Sequence, residues 1–211
     1  MPVEVAATRS LRERKRDETR RRLASAAAEL ASDRGIAATT VEQIVERAGV
    51  GRATFFRYFE SKELAIASGL SDVAVLVMTA ALEDLPPELG PLEAVRAAHR
   101  ALAVDFEERR DMFLEQALLC RSSAAMFAWT LHLYVDWEIA IAEAVRPRFG
   151  PGLADDDPRP RMIGAMAMAA ARLACDAWLE TEGTGDLPAL MERQLEGFEL
   201  AGRHDIDRGN G

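Results

Sequence analysis

Apolar residues along this 211-residue chain recur at spacings of three and four, and no segment sustains the apolar–polar alternation of a half-buried strand. That period predicts helices throughout, hence an all-α fold. A first helix is expected from about Asp17 to Arg34, with Leu23, Ala26, Ala27 and Leu30 on one face and Gly35 as its stop. A second, short helix follows "ATT", where Thr39 with Glu42, or Thr40 with Gln43, has capping-box spacing. Its apolar face is Val41, Ile44, Val45 and Ala48, and Gly49 ends it. A third short helix spans Arg52 to Phe59, and Ser61 caps a long fourth one reaching about Leu82.

Clusters of Pro and Gly punctuate the remainder. "LPPELGP" (85–91), "GPGLADDDP" (150–158) and "TEGTGDLP" (181–188) are three breaks. Between and after them, helices are expected at 92–108, 112–120, 123–149, from Pro158 to about Glu180, and 187–201. Asp157 with Pro158 fits an N-cap followed by a first-turn proline. The organisation expected is a basic flexible arm (1–16), a small helical domain (17–64), a larger helical domain (65–203) and a disordered tail (204–211).

Charge changes this picture, because it is uneven. The chain carries a net charge of −9, yet residues 1–64 hold 13 basic and 10 acidic residues. Such asymmetry points the N-terminal part toward a polyanion. The two cysteines, Cys120 and Cys175, lie in apolar helical patterns without metal-site spacing, as small buried hydrophobes of a reducing compartment. No apolar stretch follows the arginine-rich start, so no secretory signal is expected. The longest apolar run, Met162 to Leu179, is interrupted by Arg172 and Asp176 and falls short of the ~20 residues of a membrane span. These features predict a soluble cytoplasmic protein without a membrane partner.

"AGVGRATFFRYFESKE" (48–63) concentrates aromatics and cations in an otherwise acidic, aromatic-poor chain. The helices on either side of its glycines are each about two turns long and need tertiary support. Two such helices around a glycine turn, braced by a longer one, form a helix-turn-helix. Phe55 and Phe59 share one face and can anchor it with Val41, Ile44 and Val50, while Arg52, Ala53, Thr54, Arg57 and Tyr58 fall on other faces. That outer set holds the cations, hydroxyls and small residue needed to grip phosphates and read base edges in a major groove.

The stretch "TTVEQIVERAGVGRATFFRYFESKEL" resembles the DNA-binding domain of TetR-family transcriptional regulators, and the resemblance extends over about Asp17 to Leu64. It implies that Arg52, Ala53 and Phe56 touch base edges, and that Thr40, Thr54, Tyr58 and Lys62 contact phosphates of a double-stranded operator. Arg52 suits the two acceptors of guanine, and Ala53 and Phe56 suit thymine methyls. Two positions depart from the family pattern: Gly51 stands where Ser is usual, and Phe56 where Tyr is usual. The cations between Arg9 and Arg22 can reach neighbouring phosphates or the minor groove, or form a solvated tail.

The larger domain reads less specifically. "MIGAMAMAAARLACDAW" (162–178) is apolar on nearly all sides and must be buried on all sides. Its small residues Gly164, Ala167, Ala171 and Ala174 would admit a second helix closely. The family resemblance implies a homodimer through the last two long helices, and a two-fold dimer reads two half-sites about one DNA turn or a multiple apart. Phe106, Phe127, Trp129, His132 and Trp137 are the candidate ligand-binding residues; a cavity wall and a plain core both fit their spacing. From Leu92 onward the layout is similar to the C-terminal domain of mycofactocin-system-type regulators, which bind acyl-CoA-like ligands. That similarity implies a small hydrophobic inducer, and phosphate contacts from Arg96, Arg100 or Arg121. No cofactor or metal is expected.

An enzyme is disfavoured. His99, His132 and His204 are scattered, and "AGVGRA" lacks the strand and third glycine of a dinucleotide fingerprint. The alternative to a regulator is a helical protein-interaction adaptor, which has no need of Arg52, Thr54, Tyr58 and Lys62 in that order.

Overall fold

The computed structural model describes residues 11–203, which form helices without a strand. They fall into two compact units that part between Asp72 and Val73, eight residues beyond the expected boundary. The first contains α1 (Leu11–Arg34), α2 (Val41–Ala48), α3 (Arg52–Tyr58) and the start of α4 (Lys62–Asp84), which continues unbroken into the second. The expected tail at 204–211 lies outside the described residues.

The first unit closes on Leu23, Ala27, Leu30, Ile44, Phe55, Phe59 and Ile66, all buried. Burial along α1 starts only at Leu23, although the helix starts at Leu11. The expected flexible arm is therefore helical from residue 11, because Arg, Glu and Lys propagate a helix and no Gly or Pro interrupts them; residues 1–10 lie outside the described residues. Where α4 crosses α1, Gly69 lets the two backbones touch. A Cβ there would sit 2.0 Å from the Ala24 carbonyl oxygen.

The second unit holds the rest of α4, then α5 (Pro91–Leu102), α6 (Phe106–Cys120), α7 (Ala124–Val145) with a 3-10 turn (Arg146–Phe149), α8 (Arg159–Glu180) and α9 (Leu187–Arg203). One core gathers Met78, Leu82, Val95, Ile141, Val145, Met168 and Leu195, and a smaller one Phe106, Ala117 and Trp178. The break expected after residue 108 falls earlier, because Phe106 joins α6 and stacks on Phe113 at 5.6 Å. Arg148 fastens the α4–α5 connection, donating to the carbonyls of Pro86 at 2.7 Å and Leu85 at 3.2 Å. At the start of α8 the cap shifts by one residue from expectation: Asp157 accepts from the Arg159 amide at 2.9 Å and pairs with its guanidinium, which holds the Asp157 carboxyl below its usual range.

By length and composition alone, α4 and α8 could each cross a membrane. α8, however, packs on both α7 and α9. A Cβ at Gly164 would lie 2.2 Å from the Glu138 carbonyl oxygen of α7, and Ala167 and Ala174 are fully covered. The pairs Arg161–Glu138 and Arg121–Asp176 fix α7 and α8 as antiparallel.

Candidate nucleic-acid interface

α2 is capped at both ends by its own sequence. The Thr40 hydroxyl accepts from the Gln43 amide at 3.3 Å, and the Gln43 side chain returns a bond to the Thr40 amide at 3.1 Å. This completes the second of the two capping boxes that the spacing allowed. At the far end Gly49 turns left-handed at φ 64°, and Val50 N–H reaches back to the Val45 carbonyl at 3.0 Å. Only a residue free of a Cβ adopts that turn without cost, and the turn sends the chain directly into α3.

α3 begins at Arg52 behind an extended Gly51, which offers no side-chain cap. Its seven residues stay helical because Phe55 is wholly buried and Phe59, as the C-cap, is nearly so, with ring centroids 5.9 Å apart. Arg20 of α1 lies over the Phe59 ring at 5.2 Å and donates to Ser68 at 3.1 Å, joining α1, α3 and α4. With the inner face anchored, Arg52, Ala53, Phe56 and Arg57 are exposed, and Thr54 and Tyr58 half-exposed. The Arg52 guanidinium rests over Phe56 at 5.4 Å and pairs with Glu42 of α2. Both partners are mostly exposed, and such pairs contribute only about 0–1 kcal/mol, so Arg52 can re-aim at small cost.

Lys62 departs from expectation. Its ammonium donates to the carbonyls of Ile36, Ala37 and Thr39 at 3.1, 3.2 and 2.8 Å. Three acceptors match its three protons. It therefore holds the α1–α2 connection in the chain without DNA. Thr40 keeps an exposed position at the start of α2, with its hydroxyl engaged in the cap.

The five candidate ligand residues do not converge. Phe106 is in the smaller core, against Trp178 at 5.8 Å. Trp137 packs on the larger core, Trp129 is half-buried, and Phe127 and His132 are exposed. The His132 ring turns back to its own helix, 2.9 Å from the Ala128 carbonyl. Arg96 and Arg100 are committed to Glu192 of α9, at 3.0 Å for Arg96 Nε and 2.8 Å for Arg100. The polar group that does form inside the second unit is Arg121 with Asp176, near Tyr134, Cys120 and Cys175. Burial pushes the Tyr134 phenol up to about 12 and raises both free thiols. Its sequence signal was the pair of charges, Arg172 and Asp176, inside the apolar run of α8.

The small-residue stripe is likewise used within the chain. Gly164, Ala167 and Ala174 are buried and Ala171 half-buried against neighbouring helices. On α7 and α8 the uncovered large apolar positions are Phe127, Leu131, Val135, Ile139, Met162 and Leu173, and α4 exposes Val73, Leu76 and Val77. Small residues suit close helix packing within a chain as well as between chains, and here they admit α7 to α8.

A short helix anchored by two phenylalanines, presenting cations and an aromatic outward across a glycine turn, defines a helix-turn-helix DNA-binding protein. Residues 23–64 match the family described as bacterial regulatory proteins, tetR family, and residues 89–201 match the MftR C-terminal domain. The chain belongs to the TetR family of transcriptional regulators. It is 37% identical over 186 residues to the HTH-type transcriptional regulator TcmR of Streptomyces glaucescens, covering 85% of this chain and 81% of that protein. A Mycobacterium tuberculosis (strain ATCC 25618 / H37Rv) protein assigned as mycofactocin biosynthesis transcriptional regulator MftR is 25% identical over 197 residues, 93% of this chain and 96% of that one. Among solved structures, FadR of Thermus thermophilus, a TetR-family repressor in complex with lauroyl-CoA, aligns with a TM-score of 0.60 at 25% identity, covering 84% of this chain and 91% of that chain.

Proposed function

We propose that the protein is a cytoplasmic, homodimeric repressor, released from a palindromic operator by a small hydrophobic inducer. The observation that carries this reading is the exposed set Arg52, Ala53 and Phe56 on a helix whose opposite face is locked into the core. Arg52 would take the two acceptors of a guanine, and Ala53 and Phe56 would meet thymine methyls. Thr54, Tyr58 and the start of α2 at Thr40 would lie against phosphates. The second unit would hold the inducer, with an acyl-CoA as the candidate class by likeness to the lauroyl-CoA complex of FadR. Inducer binding would favour a state in which the two recognition helices no longer match successive major grooves, to the extent that the inducer binds that state more tightly.

The experiment is Arg52→Ala, assayed on a duplex selected from a random pool by the wild-type protein. Affinity for that duplex is expected to fall by about 1–3 kcal/mol with relaxed preference at one base pair. Unchanged affinity and preference would remove Arg52 from the base-reading role. An adaptor without DNA binding would select no duplex at all.

A further inference from the structure

The reading face of α3 leaves one charged surface of the first unit unexplained. Residues 11–22 of α1 extend the helix by three turns before its burial begins, and they carry seven cations and three acids. Arg12, Arg16, Arg20, Leu23 and Ala27 recur at helical spacing and share one face. From Leu23 to Ala31 that face is buried in the unit's core. One turn earlier Arg20 still belongs to it, stacked on the C-cap residue of α3 and bonded to Ser68 of α4. Beyond Arg20 the same face carries exposed Arg16 and Arg12.

A face that continued under a protein partner would continue apolar. This one changes from Leu and Ala to Arg at the point where the unit ends. It has no apolar stripe to seat in a lipid surface either, since Leu11 is the sole large hydrophobe of the extension. Its chemistry fits the phosphate backbone. The helix is continuous through residue 34, so the cations are held at fixed spacing on a rigid rod and do not trail from a flexible arm.

We propose that the α1 extension is a second DNA contact, in which Arg12 and Arg16 engage phosphates outside the bases read by α3. This rests on the DNA-binding reading above, and one experiment separates the two. Affinity of the full-length protein is measured from low to physiological salt, on the selected duplex and on an unrelated duplex of equal length. The wild type is compared with R12Q/R16Q and with R14Q/R22Q, which removes the same charge from the opposite, solvent face of α1. Each lost phosphate contact reduces the slope of log affinity against log salt by about 0.9. R12Q/R16Q is expected to flatten the slope by about 1.8 and to weaken both duplexes by the same factor, because phosphate contacts carry no sequence information. R14Q/R22Q should keep the wild-type slope. All three proteins should melt at the same temperature, since the substituted side chains are exposed.

A wild-type slope in R12Q/R16Q overturns the contact. Equal flattening by both pairs overturns it too, by reducing the effect to net charge. A loss confined to the selected duplex would mean base reading in place of phosphate binding. Absence of salt-dependent binding by the wild type would instead sink the regulator reading itself.

Discussion

At the scale of single residues, the interface depends on which cations are already occupied. Arg52 is held by an exposed carboxylate and an aromatic face, both weak restraints. Lys62 is held by three carbonyls, a complete set for an ammonium. The two therefore fail differently when removed. Lys62→Met removes the ammonium that bonds the Ile36 and Thr39 carbonyls in a part-buried connection, and is expected to cost about 1–3 kcal/mol of stability. Its thermal midpoint should fall, while the slope of DNA affinity against salt, measured below that midpoint, stays at the wild-type value. A slope reduced by about 0.9 with no change in melting would return Lys62 to the phosphates. Sequence order alone matched Lys62 to a family phosphate contact. Its carbonyl cradle exists only once the 36–39 connection folds back beside the start of α4.

At the scale of elements, close helix packing concentrates at two glycines. Gly69 admits α4 to the backbone of α1, and Gly164 admits α8 to that of α7. Gly164→Ala places a methyl 2.2 Å from a carbonyl oxygen, so the two helices must separate locally. Overpacking of this kind costs about 1–3 kcal/mol, and calorimetry should show a lowered melting temperature. A variant melting like the wild type would mean that the α7–α8 contact is looser than described. Helix positions and the Pro and Gly breaks were legible in the sequence because both are local: period for the one, backbone restriction for the other. The inner and outer faces of α3 were legible for the same reason, since Phe55 and Phe59 sit one turn apart. The grouping of Phe106, Phe127, Trp129, His132 and Trp137 was not. Helical spacing says that these side chains share apolar patterns, but which of them enter a core and which stay exposed depends on how α6, α7 and α8 are laid against one another. The polar pair Arg121–Asp176, 55 residues apart in sequence, has no local signal beyond a charge interrupting an apolar run.

At the scale of the whole molecule, the proposed assembly turns on a surface left uncovered. α9 packs on α8 and exposes Arg193 and Glu196, the latter paired with Arg96 of α5. α7 instead exposes Phe127, Leu131, Val135 and Ile139 at four-residue steps. The antiparallel register set by Arg161–Glu138 and Arg121–Asp176 brings Ile139 level with Met162, and Phe127 level with Leu173. Two helices with adjacent apolar stripes, repeated by a two-fold axis, make a four-helix contact, and one face per copy suffices because such contacts are self-complementary. We propose that these faces of α7 and α8 contribute to the dimer contact. Leu131→Glu puts a charge on this face without disturbing the core, since the side chain is already 41% exposed. In sedimentation the variant is expected to run as a monomer at concentrations where the wild type is a dimer, with unchanged helix content. Arg193→Glu, on the outer face of α9, should leave the dimer intact. A monomer reads one half-site, so the affinity of Leu131→Glu for a two-half-site duplex should drop toward its affinity for a single half-site. If Leu131→Glu stays dimeric and Arg193→Glu does not, the contact belongs to α9, and the apolar stripe of α7 needs another occupant.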